Sequence, residues 1–174
     1  MLIIKLGIMA VLLLVAIQDF KYRAVYWIAF PVLSVLLLLD RSFKQETMTI
    51  LQNTLFNLSF ILLQLFTVTI WFSLKNKKWI NITKGFLGLG DILFLIGIAC
   101  YLSFASYIVF YIASLLFILI TWLIWSNLKK TSSNQVPLAG LQAILFLAVI
   151  VSSWWIYPVT LTDNDWALTV ITYE

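Results

Sequence analysis

The chain has no histidine at all, a single cysteine, and only eleven basic and seven acidic side chains in 174 residues. Without histidine, Ser-His-Asp triads, Ser-His and Cys-His dyads, HExxH zinc sites and histidine-ligated haem are all excluded. One cysteine, Cys100, permits neither an internal disulfide nor a thiolate zinc cluster. Its place in an apolar run reads as a small buried hydrophobe. Charged residues make up 10% of the chain, against roughly 25% in an average soluble domain. So few charges cannot cover a water-soluble sphere of this mass. A net charge of +4, spread along the chain, gives no footprint for nucleic acid.

What is present is apolar surface: 63% of the residues are hydrophobic. Lipid solvates such surface where water does not, and inside lipid the backbone must satisfy itself as helix. The expectation is an all-α integral membrane protein. At roughly 20 residues per span, the length allows about six transmembrane helices. Charge-free runs place them, because a charge at the bilayer centre costs at least roughly 2.5–3.5 kcal/mol. The runs are Leu6 to Gln18, extended outward past Lys5; Ala24 to Leu39, with Pro31 expected to kink it; and Thr47 to Leu74. Ile92 to Trp125 is too long for one span and short for two. A fourth helix beginning near Gly85 and a tight turn around Ser103 to Ser106 resolve it into two, drawing Asp91 into the helix. The last span runs from about Pro137 to Tyr157. This gives a six-helix membrane domain over residues 1–157 and a short extracytoplasmic tail over 158–174. No small-x-small site precedes Gln18, so the first run reads as a span rather than a cleaved leader.

Basic residues set the expected orientation. Lys21, Arg23, Lys75, Lys77, Lys78, Lys84, Lys129 and Lys130 fall in the connections after spans one, three and five, whereas Lys5, Arg41 and Lys44 fall on the other side. The positive-inside bias places the first set in the cytoplasm and both termini outside. Tryptophans near span ends, among them Trp71, Trp79, Trp122, Trp125, Trp154 and Trp155, match interfacial belts. Five acids, Asp40, Glu46, Asp163, Asp165 and Glu174, lie on the outer side, where a solvated face accounts for them. Asp19 and Asp91 do not. One closes the first span and the other opens the fourth, so helix parity puts both at the cytoplasmic edge.

Two carboxyls at one depth suit aspartic hydrolysis: one ionised to take a proton from water, its neighbour protonated to polarise the scissile carbonyl. A proton relay in a small transporter is a rival use, against which the absence of detectable inverted repeats counts. Gly85, Gly88 and Gly90 precede Asp91. Bare backbone there serves either the approach of an extended peptide or close helix packing. Gln18, Asn57, Gln64 and Gln142 lie within spans, where interhelical hydrogen bonds explain them at least as well as a cavity does.

Gly88-Leu89-Gly90-Asp91 is a GxGD sequence. With Gln18-Asp19-Phe20-Lys21-Tyr22-Arg23 closing the first span and Val136-Pro137-Leu138-Ala139-Gly140 opening the last, the chain resembles the type IV prepilin and archaeal preflagellin peptidases, which are GxGD membrane aspartic proteases. The resemblance covers roughly residues 5–157. It implies Asp19 and Asp91 as catalytic residues, Gly88 and Gly90 at the substrate, and no metal or cofactor. It also implies a prepilin-like membrane protein as substrate and a multi-pass place in the cytoplasmic membrane with the site facing the cytoplasm. The chain departs from the family at Val25-Tyr26-Trp27, where an Ile-Pro-Asn-like segment is usual, and at Leu93, where a lysine is common. The amino-terminal metal-binding, methylating domain of many bacterial members has no counterpart in it. A non-catalytic membrane scaffold on the same fold is the alternative these departures favour.

Overall fold

The computed structural model describes residues 1–76, 88–128, 137–155 and 161–163. Among these the chain is all-helical: α1 (Leu2–Tyr22), α2 (Ala29–Ser42), α3 (Thr47–Asn76), α4 (Leu89–Ala99), α5 (Phe104–Leu128) and α6 (Leu138–Trp155). Four of them, α1, α3, α5 and α6, are long and apolar enough to cross a membrane, as expected of a multi-pass membrane protein. The expected helix start at Gly85, the basic residues Lys77, Lys78, Lys84, Lys129 and Lys130, and the acids Asp165 and Glu174 lie outside the described residues, as does most of the tail.

The other two helices are shorter than the six-span reading assumed. α2 has 14 residues and α4 has 11, so at about 1.5 Å per residue they are about 21 and about 16 Å long. α1 ends at Arg23, whose backbone is left-handed (φ 50) and whose N–H donates to the Asp19 carbonyl at 2.9 Å. The chain then turns, and helix resumes only at Ala29. Pro31 therefore sits in the first turn of α2, where a missing N–H breaks no helical bond. It opens the helix there and kinks nothing.

A short helix that ends among other helices leaves carbonyls that no water reaches, and these need donors. At the end of α4 two side chains supply them. Asn57 Nδ2 donates to the carbonyls of Ala99 and Leu102 at 2.8 and 2.9 Å. Arg41 Nη1 donates to that of Cys100 at 2.9 Å, and Nη2 to Thr162 at 3.3 Å. Arg41 is fully buried. It caps a helix, a role that the count of basic residues by loop did not give it. Its neighbour Asp40 is likewise fully buried, not solvated, because it turns inward to pair with Lys44 at 2.7 Å and to accept from the Tyr101 hydroxyl at 3.4 Å. The α4–α5 turn falls over Cys100–Ser103, three residues earlier than expected. The segment 161–163 packs back onto it, with Ser103 N–H donating to the Leu161 carbonyl at 3.0 Å.

α4 packs against α2, α3 and α6, and α6 packs against α1 and α5. Phe146 of α6 is fully buried and meets Phe94, Tyr101 and Phe110 edge-on, at ring separations of 5.4–6.3 Å. Cys100 is buried and free. Lys5 lies over the Trp154 ring at 4.8 Å, at the end of α6 remote from Leu138. The bundle thus holds the starts of α4 and α6 against the end of α1.

Candidate active site

Three helix ends converge. Asp19 lies in the last turn of α1, Asp91 in the first turn of α4, and the third participant is the first turn of α6. Both carboxyls are buried, with 8% and 9% of each residue exposed. Asp91 occupies the third position after Gly88, which has extended backbone and precedes the helix. Its N–H donates to the Gly88 carbonyl at 3.1 Å. Its carboxyl faces the Gly88 N–H, the place of the acid in a capping box, although glycine has no side chain to return the bond. An acid in this turn also meets the positive end of the helix dipole.

The first turn of α6 joins the two acids. Pro137 contributes no N–H, and the next amides have no helical acceptor. Gly140 N–H donates to Asp19 Oδ2 at 2.6 Å, and the preceding amide, that of Ala139, faces the Asp91 carboxyl. Successive amides of one helix start therefore face one carboxyl each. The carboxyls are close enough for the Asp19 charge to act directly on Asp91.

Glycine is required at two of these places. A Cβ on Gly140 would lie 3.1 Å from both Cβ and Oδ2 of Asp19 and 3.3 Å from the Ala16 carbonyl oxygen, so α1 would have to retreat. A Cβ on Gly88 would lie 2.9 Å from Asp91 Oδ2. Gly90, by contrast, has only ordinary contacts in prospect, Phe30 Cζ at 3.8 Å and Ala139 Cβ at 3.9 Å.

No family model, curated protein or solved structure matches this chain. The residues themselves therefore carry what can be said of the site. Asp19, Asp91, Gly88 and Gly90, singled out in the sequence, come together at these helix ends. Ala139 and Gly140 were noted only as part of the proline-led start of α6; the place of their amides facing the carboxyls was missed. The available signal was a proline directly before small residues at a helix start, which leaves unhindered free amides. Of the four in-span carboxamides, Asn57 caps α4, and Gln18 Oε1 accepts from Tyr26 N–H at 3.2 Å across the α1–α2 turn. Gln64 and Gln142 instead line a cavity beside Asp91.

Proposed function

We propose that this protein is a membrane-embedded aspartic endopeptidase in which Asp19 and Asp91 form the catalytic pair, and that it removes leader peptides from prepilin-like membrane proteins at the cytoplasmic face. The observation that carries this reading is the convergence of two buried carboxyls at the start of α6, where Gly140 N–H donates to Asp19 and the Ala139 amide faces Asp91. An arrangement built only for packing has no need to bring two like charges into mutual reach, since repulsion makes the pair costly. For hydrolysis the same repulsion is useful, because it favours a state in which the pair shares one proton. The ionised member takes a proton from the attacking water while the protonated member donates to the scissile carbonyl. The Gly140 amide fixes Oδ2 of Asp19 and leaves Oδ1 for water and substrate. Gly88 keeps clear the space that the Asp91 carboxyl occupies.

The test is cleavage of leader-bearing candidates from the same genome by the purified protein in lipid. Asp19→Asn and Asp91→Asn should each abolish cleavage while the protein stays inserted and folded, because an asparagine carboxamide still presents an oxygen to the α6 amides yet supplies neither base nor acid. Cleavage at the native rate by either variant would overturn the mechanism.

A further inference from the structure

Asp91 also lines a cavity of about 100 Å³ bordered by α3, α4, α5 and α6. Most of its wall is apolar, as at Ile61, Leu65 and Leu115, and Gln64 and Gln142 bring carboxamides to it. Gln142 is 3% exposed, and its Oε1 is buried without a hydrogen-bond partner. A buried acceptor left without a donor is a persistent cost, and a site that keeps one has a use for it when occupied. Gln142 lies three residues, just under one turn, beyond Ala139, whose amide faces Asp91. The start of α6 thus places the acceptor on the wall that Asp91 of α4 shares.

The occupant follows from the chemistry. A peptide bond is attacked only when its backbone is extended, and a membrane segment that unwinds from helix gives up its internal hydrogen bonds. Among the described residues there is no strand to pair with such a segment. A primary carboxamide offers an acceptor oxygen and two N–H donors, much as a neighbouring strand would. We infer that the cavity beside Asp91 receives the extended part of a peptide substrate, and that Gln142 Oε1 accepts a backbone N–H from it within three residues of the scissile bond. This rests on the aspartic endopeptidase reading and adds to it the group that fixes the substrate's register.

The test uses binding, so that it stands apart from chemistry. The probe is a single-pass peptide with a lysine-rich leader, a glycine and an apolar segment, carrying a photoreactive diazirine leucine after the glycine. Six further peptides each replace one backbone amide by an ester, three on either side of the glycine, removing one N–H at a time. Affinities are measured by competition for cross-linking to the full chain in nanodiscs, in an Asp19→Asn background that prevents turnover. One ester should weaken binding about fivefold where Gln142 is present, and the same ester should have no effect after Gln142→Leu. Gln142→Leu alone should weaken the all-amide probe by the same factor. Gln142→Met, a straight-chain apolar replacement of similar volume, should repeat the result and stands in if the leucine variant misfolds. Equal ester effects with and without Gln142 at all six positions, unchanged affinity on losing Gln142, absence of binding, or cross-links only outside the cavity would each overturn the inference. Binding that couples to Gln142 without cleavage by the unsubstituted protein would instead condemn the catalytic reading and leave the inference standing.

Discussion

Gly140 N–H donates to Asp19 Oδ2 at 2.6 Å, with the glycine Cα packed so close to α1 that a methyl group would lie 3.3 Å from the Ala16 carbonyl oxygen. The contact ties the start of α6 to the end of α1 and fixes one carboxyl of the candidate pair. Because a backbone oxygen is among the atoms in the way, no side-chain rotation relieves Gly140→Ala. That variant should lose about 1–3 kcal/mol of stability, as overpacked sites do, and should lose cleavage with it. Thermal unfolding in detergent and initial rates in lipid measure the two effects.

The two glycines of the GxGD sequence should behave differently. At Gly88 the obstructing atom is the end of the Asp91 side chain, which can turn away. Gly88→Ala should therefore keep the fold and misplace the carboxyl, with a loss in kcat of about 100-fold, the scale of a 1 Å misplacement. At Gly90 the nearest atoms are at ordinary contact distance. Gly90→Ala should unfold at the same or a higher temperature, since alanine in a helix is favoured over glycine by about 0.5–1 kcal/mol, and should retain most activity. Equal losses at both positions would show that backbone access, not placement of Asp91, is what the glycines provide.

Arg41 should matter for stability and not for orientation. Its guanidinium reaches the Cys100 and Thr162 carbonyls from two different nitrogens, a fork that a lysine ammonium does not reproduce. Arg41→Leu should cost about 1–3 kcal/mol through the Cys100 carbonyl left without a donor, and Arg41→Lys should recover little of it. Denaturation monitored by tryptophan fluorescence checks the ranking. A shift in membrane orientation without loss of stability would restore Arg41 as a topological charge.

The orientation inferred from the basic residues is tested by single cysteines in a Cys100→Ala background. Glu46 and Lys75 are exposed at opposite ends of α3. Glu46→Cys should react with an impermeant maleimide added outside intact cells, and Lys75→Cys should react only after the membrane is opened. The reverse pattern would invert the protein and remove the cytoplasmic site.

The membrane class, the helical architecture and the positions of α1, α3 and α6 to within a few residues were legible in the sequence, because each follows from local composition: an apolar run in lipid has little choice but helix. The same logic overestimated α2 and α4. Counting uncharged residues cannot tell a helix that meets lipid from one that ends against its neighbours, and what ends α4 is donors from Asn57 and Arg41, far away in sequence. Asp40 was misread for a related reason. A charge beside a span end is exposed by default, and only the packed bundle brings Lys44 and Tyr101 to it.

For the candidate site, the sequence by itself determined the chemistry available: no histidine, one thiol in an apolar run, and two carboxyls at the ends of apolar helical runs. Tertiary structure alone decided that these carboxyls are neighbours, because their approach depends on the start of α6, whose amides carry no side-chain signature and where that of Gly140 reaches Asp19 only because proline and the helix start leave it without an acceptor. The unpaired oxygen of Gln142 is of the same kind. Its residue type is plain in the chain, but whether a carboxamide finds a partner is settled by what the neighbouring helices place within 3 Å of it.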